Sequence, residues 1–151
     1  MGNALVFMAG AIGVAYSFWV IMNSKKKITI NLNRDSVHSG DDIVSHAKQI
    51  NIKESATVKD LIEVIRQTNY LPQIIGGNAT WIIDCLNTPN GVIGVDAQQW
   101  SEPKLVIPDG SLVAQLTKDG KVNLHFRYWC QSDPEKVYAC VIAGNELPSK
   151  Y

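Results

Sequence analysis

The stretch that most constrains the fold is residues 57–67, where apolar side chains recur at the spacing of one helix face. Positions i, i+3, i+4 and i+7 of a helix share one side, and here they hold Val58, Leu61, Ile62 and Ile65. Thr57 stands just before this run and Asp60 three residues after it, an arrangement typical of a capped helix start. Strand-like segments lie on both sides of the helix. The pattern therefore predicts a single sheet that folds across one amphipathic helix.

The overall composition narrows the class of protein. With 151 residues, the chain has the length of one domain with an appendage. Its 14 basic and 14 acidic residues give no net charge, which argues against a dedicated nucleic-acid-binding protein. The three cysteines, Cys85, Cys130 and Cys140, include no Cys-x-x-Cys pair, so a reducing compartment fits better than a disulfide framework. The alternative is one disulfide in an exported domain.

The first segment of the chain is apolar enough to be a membrane span. Residues 3–22 carry no charge, and about 20 apolar residues cross a ~30 Å hydrocarbon core as a helix. Trp19 lies near the end of this run, and Lys25, Lys26 and Lys27 follow it. Interfacial aromatics and the positive-inside rule then predict a single-pass membrane protein with its main domain on the cytoplasmic side.

Residues 1–24 are accordingly assigned to a transmembrane anchor. Small residues at four-residue spacing, such as Ala9 and Gly13, would let two such helices pair into a homo-oligomer. In the alternative interpretation, this helix belongs to the core of a soluble oligomeric protein.

Most of the remaining chain is predicted to form strands. Five segments are predicted as strands, at residues 28–33, 47–53, 79–85, 92–97 and 122–130. Residues 104–107 are predicted as a short strand or extended piece, and residues 111–116 as one short helical turn. A final helix is expected from about Pro134, which suits a first turn, to Gly144, which suits a helix end.

This order of elements resembles that of ubiquitin-like β-grasp proteins. The helix start Thr57-Val58-Lys59-Asp60-Leu61-Ile62 after a strand, and the short turn at residues 111–116 before the last strand, carry the resemblance. It implies an α+β fold in which a mixed sheet of four to five strands packs on one main helix. To this are added the N-terminal hydrophobic helix and a C-terminal helix. The domains are then 1–24 (anchor), 25–131 (ubiquitin-like) and 132–151 (C-terminal helix and tail).

The resemblance also limits the function. Modifiers of this family end in a free Gly-Gly tail, whereas Gly76-Gly77 is internal here, so conjugation is not expected. β-Grasp ferredoxins hold their cluster with four cysteines, and this chain has three. Non-covalent recognition remains, as in the small bacterial ubiquitin-like proteins of secretion systems, an analogy of fold alone. We therefore expect a protein-binding domain, as an accessory component of a membrane-associated complex.

No catalytic or cofactor chemistry is predicted. A Cys/His pair is the available nucleophile–base set, and the strand and helix positions of the cysteines are typical of core residues. Asp35, His38, Asp41 and Asp42 do not match the spacing of a calcium loop, so we expect a solvated loop and no metal. No glycine pattern suits a phosphate. A small Cys/His enzyme is kept as the alternative function.

The predicted contact surface lies on the outer face of the sheet. In a β-grasp sheet the first and last strands are parallel neighbours, so their outward side chains lie side by side. These side chains are predicted to bind a protein partner, since arginine and tryptophan are enriched at binding hot spots: Asn31, Asn123, His125, Arg127 and Trp129. In the alternative arrangement, the C-terminal helix covers this face and buries Trp129.

Overall fold

In the computed structural model, which describes residues 26–89 and 91–150, two α-helices lie on opposite faces of a mixed sheet. The strands are β1 (Lys27–Arg34), β2 (Lys48–Lys53), β3 (Thr80–Cys85), β4 (Val92–Ala97), β5 (Lys104–Leu105) and β6 (Lys121–Tyr128). The α-helices are α1 (Val58–Gln67) and α2 (Pro134–Ala143), and 3₁₀ turns occur at Ser39–Ile43 and Val113–Leu116.

The sheet is built around the first and last strands. Its order is β2-β1-β6-β3-β4-β5, and β1 runs parallel to β6 with Thr29 opposite Lys121. The other pairs are antiparallel. The expected parallel pairing of the first and last strands is therefore confirmed.

The main core lies between α1 and one face of the sheet. The predicted apolar stripe of α1 is fully buried against Ile30 of β1 and Phe126 of β6, among others. Burying one such aliphatic side chain stabilises a fold by about 1.5–3 kcal/mol, so this stripe holds the helix on the sheet. The predicted capping box is confirmed: Thr57 Oγ1 accepts from Asp60 N at 3.1 Å, and Asp60 Oδ2 accepts from Thr57 N at 3.0 Å.

A buried ion pair fixes the end of α1 to β4. The side chain of Asp96 in β4 is 5 % exposed, and its Oδ2 lies 3.4 Å from Arg66 Nε. The Arg66 guanidinium also donates to the carbonyls of Trp100 at 2.6 Å and Ser101 at 2.7 Å. Burial raises the pKa of Asp96, and the neighbouring Arg66 opposes that rise.

The second helix covers part of the other face. Ile82, Val95 and Val137 form a smaller buried cluster between α2 and strands β3 and β4. Asp133 caps this helix, and Gly144 ends it in a left-handed conformation (φ 66°). The predicted final helix is thus confirmed.

The prediction of a sheet of four to five strands was wrong, because the described sheet has six. The sixth strand is β5, within the segment predicted as a short strand or extended piece, and it pairs with Gly94 and Val95. Gly94 explains the close approach, since a Cβ at this position would lie 2.9 Å from the Lys104 carbonyl oxygen. The predicted N-terminal hydrophobic helix lies outside the described residues.

The prediction of a single-pass membrane protein with a cytoplasmic domain is also corrected. Across residues 26–89 and 91–150, no helix has both the length and the apolar composition needed to cross a bilayer. Helices α1 and α2 have 10 residues each, about 15 Å of helix, half of a ~30 Å hydrocarbon core. The predicted anchor, residues 1–24, lies outside the described part of the chain, as do the expected interface residues Trp19 and Lys25.

Candidate protein-binding face

Four side-chain amides form a hydrogen-bonded row on the outer face of the sheet, opposite α1. Gln49 Nε2 donates to Asn31 Oδ1 at 2.8 Å, and Asn31 Nδ2 donates to Asn123 Oδ1 at 2.7 Å. Asn87, in the turn after β3, accepts at its Oδ1 from Asn123 Nδ2 at 3.3 Å and from the Asn123 backbone N–H at 2.8 Å. We call these residues, Gln49, Asn31, Asn123 and Asn87, the amide row.

The register of the strands produces this row. Asn31 of β1 lies directly opposite Gln49 of β2 and Asn123 of β6, so the three side chains point to the same face. A side-chain amide has two N–H donors and a carbonyl with two lone pairs. The bonds inside the row use only part of this capacity and fix the orientation of the amides. The row therefore presents oriented donors and acceptors to a partner.

His125 lies beside the row but is held by an aspartate. His125 Nε2 is 2.8 Å from Asp35 Oδ1, and Asp35 Oδ2 accepts from Tyr128 N at 3.0 Å. The Asp35 backbone N–H also donates to Phe126 O at 2.9 Å. Asp35 thus closes the end of the β1–β6 ladder, and it orients His125 while the imidazole remains 27 % exposed.

Arg127 marks the border between the polar and the covered part of the face. Its guanidinium makes two bonds to Asp84 of β3, Nε to Oδ2 at 2.5 Å and Nη2 to Oδ1 at 3.0 Å. The next outward residue on this strand pair is Ile82, which lies buried under α2. This two-bond pair uses two of the N–H donors of the guanidinium and fixes its orientation. We therefore expect Arg127 to contribute more to the structure of the face than to direct contact with a partner.

Trp129 follows the end of β6 and packs under the C-terminal tail. Its Nε1 donates to Pro148 O at 2.9 Å, and Lys150 Nζ lies 4.7 Å from the centroid of its ring. It also contacts the cluster around Val137. Trp129 is therefore partly covered by the tail and by the cluster around Val137. The other four predicted contact residues share the outer face: Asn31, Asn123, His125 and Arg127.

Comparisons with protein-family models and with curated proteins found no match to this sequence. The function must therefore be argued from the residues of the face itself.

Two members of the amide row were not among the predicted contact residues. Gln49 lies within the strand predicted at residues 47–53, but its pairing with Asn31 depends on the β1–β2 register, which the strand pattern alone does not specify. Asn87 belongs to a turn, and no periodic pattern places a turn side chain against a strand 36 positions away. The Asp35 and Asp84 partners were missed because both contacts depend on tertiary packing.

The loop between β1 and β2 is more ordered than the predicted solvated loop. Arg34 forms a two-bond pair with Asp41, at 2.6 and 3.1 Å, and Val37 N also donates to this carboxylate. The Arg34 guanidinium holds the pKa of Asp41 well below its usual range. Among the described residues, no group of three or more His, Cys, Asp or Glu side chains is placed to hold a metal ion.

The cysteines occupy three different environments, and all three are free thiols. Cys85 is buried, and burial raises the pKa of its thiol. Cys130 was expected to be a core residue on the last strand, but β6 ends at Tyr128 and Cys130 occupies a turn with φ 55°. There it lines a cleft of about 780 Å³ together with His38. Core packing therefore does not account for Cys130.

Two of the lysines expected at a membrane interface are described. Lys26 Nζ lies 3.0 Å from Glu54 Oε1 in an exposed pair. Lys27 begins β1 directly opposite Lys53 of β2. Both residues are thus part of the end of the sheet.

Proposed function

We propose that this chain is a non-catalytic, ubiquitin-like protein-binding domain and that the amide row is the centre of its contact face. The carrying observation is the row itself, four neutral amides bonded in sequence on a sheet face. The parallel pairing of the first and last strands, with α1 crossing the sheet, supports the likeness to ubiquitin-like proteins. By analogy of fold alone, an accessory role in a larger complex such as a secretion system fits this domain.

The chemistry of the row suits a protein surface. Amides that both donate and accept match the peptide groups and polar side chains of a partner, and removing them from water costs less than removing a charge. Because the row is already ordered, a partner does not have to fix these side chains on binding. A typical interface contains about ten direct hydrogen bonds, and the row would supply several of them.

The test is partner capture with the tagged full-length chain. Asn31→Ala combined with Asn123→Ala breaks the row at its centre, and we expect at least a tenfold loss of specifically captured protein, quantified by mass spectrometry. Asn78→Ala is the matched control, since Asn78 is an exposed asparagine outside the face. Circular dichroism should show that both variants keep the fold. Unchanged capture by the folded double variant would assign the contact to another surface.

Alanine variants of Arg127 and Trp129, two of the contact residues predicted from the sequence, form a second part of the capture experiment. Since both side chains are bonded within the chain, replacing either by alanine should lower the thermal midpoint. Loss of capture by these variants at full stability, with none for the amide variants, would move the site to the border of α2.

One observation favours a second function, a small enzyme that uses a Cys/His pair. Cys130 and His38 line the same cleft, beside Asp42. The test is the rate of thiol alkylation at neutral pH, compared between the full chain and its Cys130→Ser variant. Alkylation much faster than that of a free cysteine, and lost in the variant, supports thiol chemistry. Slow alkylation excludes it.

A further inference from the structure

The two edges of the sheet differ in what they offer to another chain. The β5 edge has two residues, and its Leu105 carbonyl accepts from the Tyr138 hydroxyl of α2 at 3.0 Å. The β2 edge has six residues, Lys48–Lys53. Among the described residues, no strand pairs with the outer side of β2. Of the two edges, β2 is therefore the open one.

The register shows which backbone groups this edge exposes. Glu54 N donates to Lys26 O at 3.1 Å, so the hydrogen-bonded pairs between β1 and β2 are those at even-numbered positions. Gln49 and Asn51 consequently turn their N–H and C=O groups away from β1. An edge of this kind is a template for one more strand.

Charge decides which strand fits. Lys48 and Lys53 end the strand, and Lys27 lies opposite Lys53 on β1. All three are exposed, and none of them has an ion-pair partner in the part of the chain that the structure describes. A second copy of β2 would bring more lysines into this region, so self-pairing is opposed by like charge. An acidic strand would instead relieve the repulsion between Lys27 and Lys53.

The side chains of β2 define the pattern of the occupant. Ile50 and Ile52 are half-buried and pack at the margin of the α1 core, whereas Gln49 and Asn51 are exposed on the outer face. A partner strand with alternating side chains would place apolar groups beside the isoleucines and polar groups beside the amides. Gln49 is also the first member of the amide row, so the added strand would continue the contact face.

From these observations we propose that β2 binds an extended acidic segment of a partner protein by adding it as a further strand at the edge of the sheet. This inference rests on the proposed protein-binding function and names the chemistry of the partner. Main-chain hydrogen bonds to Gln49 and Asn51 supply affinity, and the lysines select the charge.

The probe for this site is a fluorescein-labelled synthetic peptide in which glutamate alternates with valine, titrated with the full chain and followed by fluorescence anisotropy. Two control peptides separate the contributions. One has lysine in place of glutamate, and the other is N-methylated at alternate backbone nitrogens, so that it keeps its charge but loses half of its donors. We expect binding of the first peptide only.

The site is then located by variants and by amide exchange. Lys27→Glu with Lys53→Glu reverses the two lysines on the outer face, where the glutamates of the peptide lie beside the amides. This change replaces two attractions by two repulsions and should weaken binding about tenfold, since exposed pairs are worth up to ~1 kcal/mol each. Lys136→Glu, an exposed lysine on α2, is the matched control and should change binding less than about twofold. Bound peptide should slow hydrogen exchange at the amides of Gln49 and Asn51.

Several results would overturn the inference. They are equal binding of the N-methylated peptide, no effect of the lysine reversals, or no binding of the acidic peptide. Slower exchange at Gln49 and Asn51 with rising chain concentration, without peptide, would identify a second copy as the occupant. If partner capture depends on Asn31 and Asn123 while the acidic peptide does not bind, the inference fails and the proposed function stands. If the peptide binds at β2 while the amide variants capture normally, the proposed contact face fails instead.

Discussion

Replacing Arg66 by methionine removes the cation beside the buried carboxylate of Asp96 and keeps an unbranched apolar stem in place of the arginine methylene groups. Breaking a buried ion pair from one side costs about 3–5 kcal/mol, because the other charge stays buried without compensation. The distance of 3.4 Å between Arg66 Nε and Asp96 Oδ2 is long for a hydrogen bond, so the lower end applies. The carbonyls of Trp100 and Ser101 lie near the surface, where water can replace the guanidinium. We expect a loss of about 3 kcal/mol at neutral pH.

The loss should depend on pH with a definite sign. Burial raises the pKa of Asp96 above its ordinary value of 3.8, and removing Arg66 raises it further. A carboxyl with a raised pKa in the folded state binds its proton better when folded. Its contribution to stability is therefore fully present below pH 3.8 and is lost as pH rises through the folded-state pKa. The deficit of Arg66→Met should be complete at neutral pH and small close to pH 3.8.

The assay is urea unfolding followed by tryptophan fluorescence. With a slope of about 2 kcal/mol per molar urea, a loss of 3 kcal/mol moves the midpoint by about 1.5 M. Lys59→Met is the matched control on the same helix, and its exposed pair with Glu102 should leave the midpoint nearly unchanged. Adding Asp96→Asn to Arg66→Met should restore most of the loss. A loss under about 1 kcal/mol, or the same loss at acidic and neutral pH, would falsify this account of Asp96.

Three further predictions concern single positions. Thr57→Ala should lower the free energy of unfolding by about 1 kcal/mol, measured by urea unfolding, and an unchanged midpoint would show that the capping box adds nothing. Gly94→Ala places a Cβ 2.9 Å from the Lys104 carbonyl oxygen and should speed hydrogen exchange at Val106 N, which bonds across to β4; unchanged exchange would contradict the predicted clash. Burial raises the pKa of Tyr70 from 10.0 to about 12, so its contribution to stability is present below pH 10 and lost as pH rises towards 12. The difference in ultraviolet titration between the chain and its Tyr70→Phe variant checks this value, since the chain has five tyrosines, and a difference centred near pH 10 would contradict it.

The local elements of this fold are largely readable from the sequence. The apolar stripe of α1 and its capping box depend on residues a few positions apart in one helix. In the same way, Pro134 marks the first turn of α2 and Gly144 marks its end. Strand β4 was predicted with its observed bounds. In each case the information is carried by neighbouring residues, whose spacing matches the geometry of the element.

The errors arise where distant residues decide the outcome. Residues 104–107 were left open between a short strand and an extended piece, because their pairing with β4 depends on the room that Gly94 leaves, and Gly94 lies outside that segment. Trp129 alternates correctly as an outward residue, but the tail that covers it comes 19 positions later. In the sequence, Cys130 continues the alternating pattern of β6, but in the structure the strand ends at Tyr128 and Cys130 lies in a turn. Of the candidate site, the outward face was predictable and the pairing of its side chains was not.

The parallel pairing of β1 with β6 has a consequence for how the chain folds. Asn31 and Asn123 are 92 positions apart, so the centre of the sheet joins segments from opposite parts of the chain. At about 5–20 residues per second, β1 leaves the ribosome roughly 5–20 seconds before β6. During that time β1 lacks its central neighbour, and long-range pairing of this kind slows folding. The amide row is complete only when β1 has paired with β6. A partner that contacts Asn31 and Asn123 together would therefore bind folded chains and would not bind chains that still lack β6.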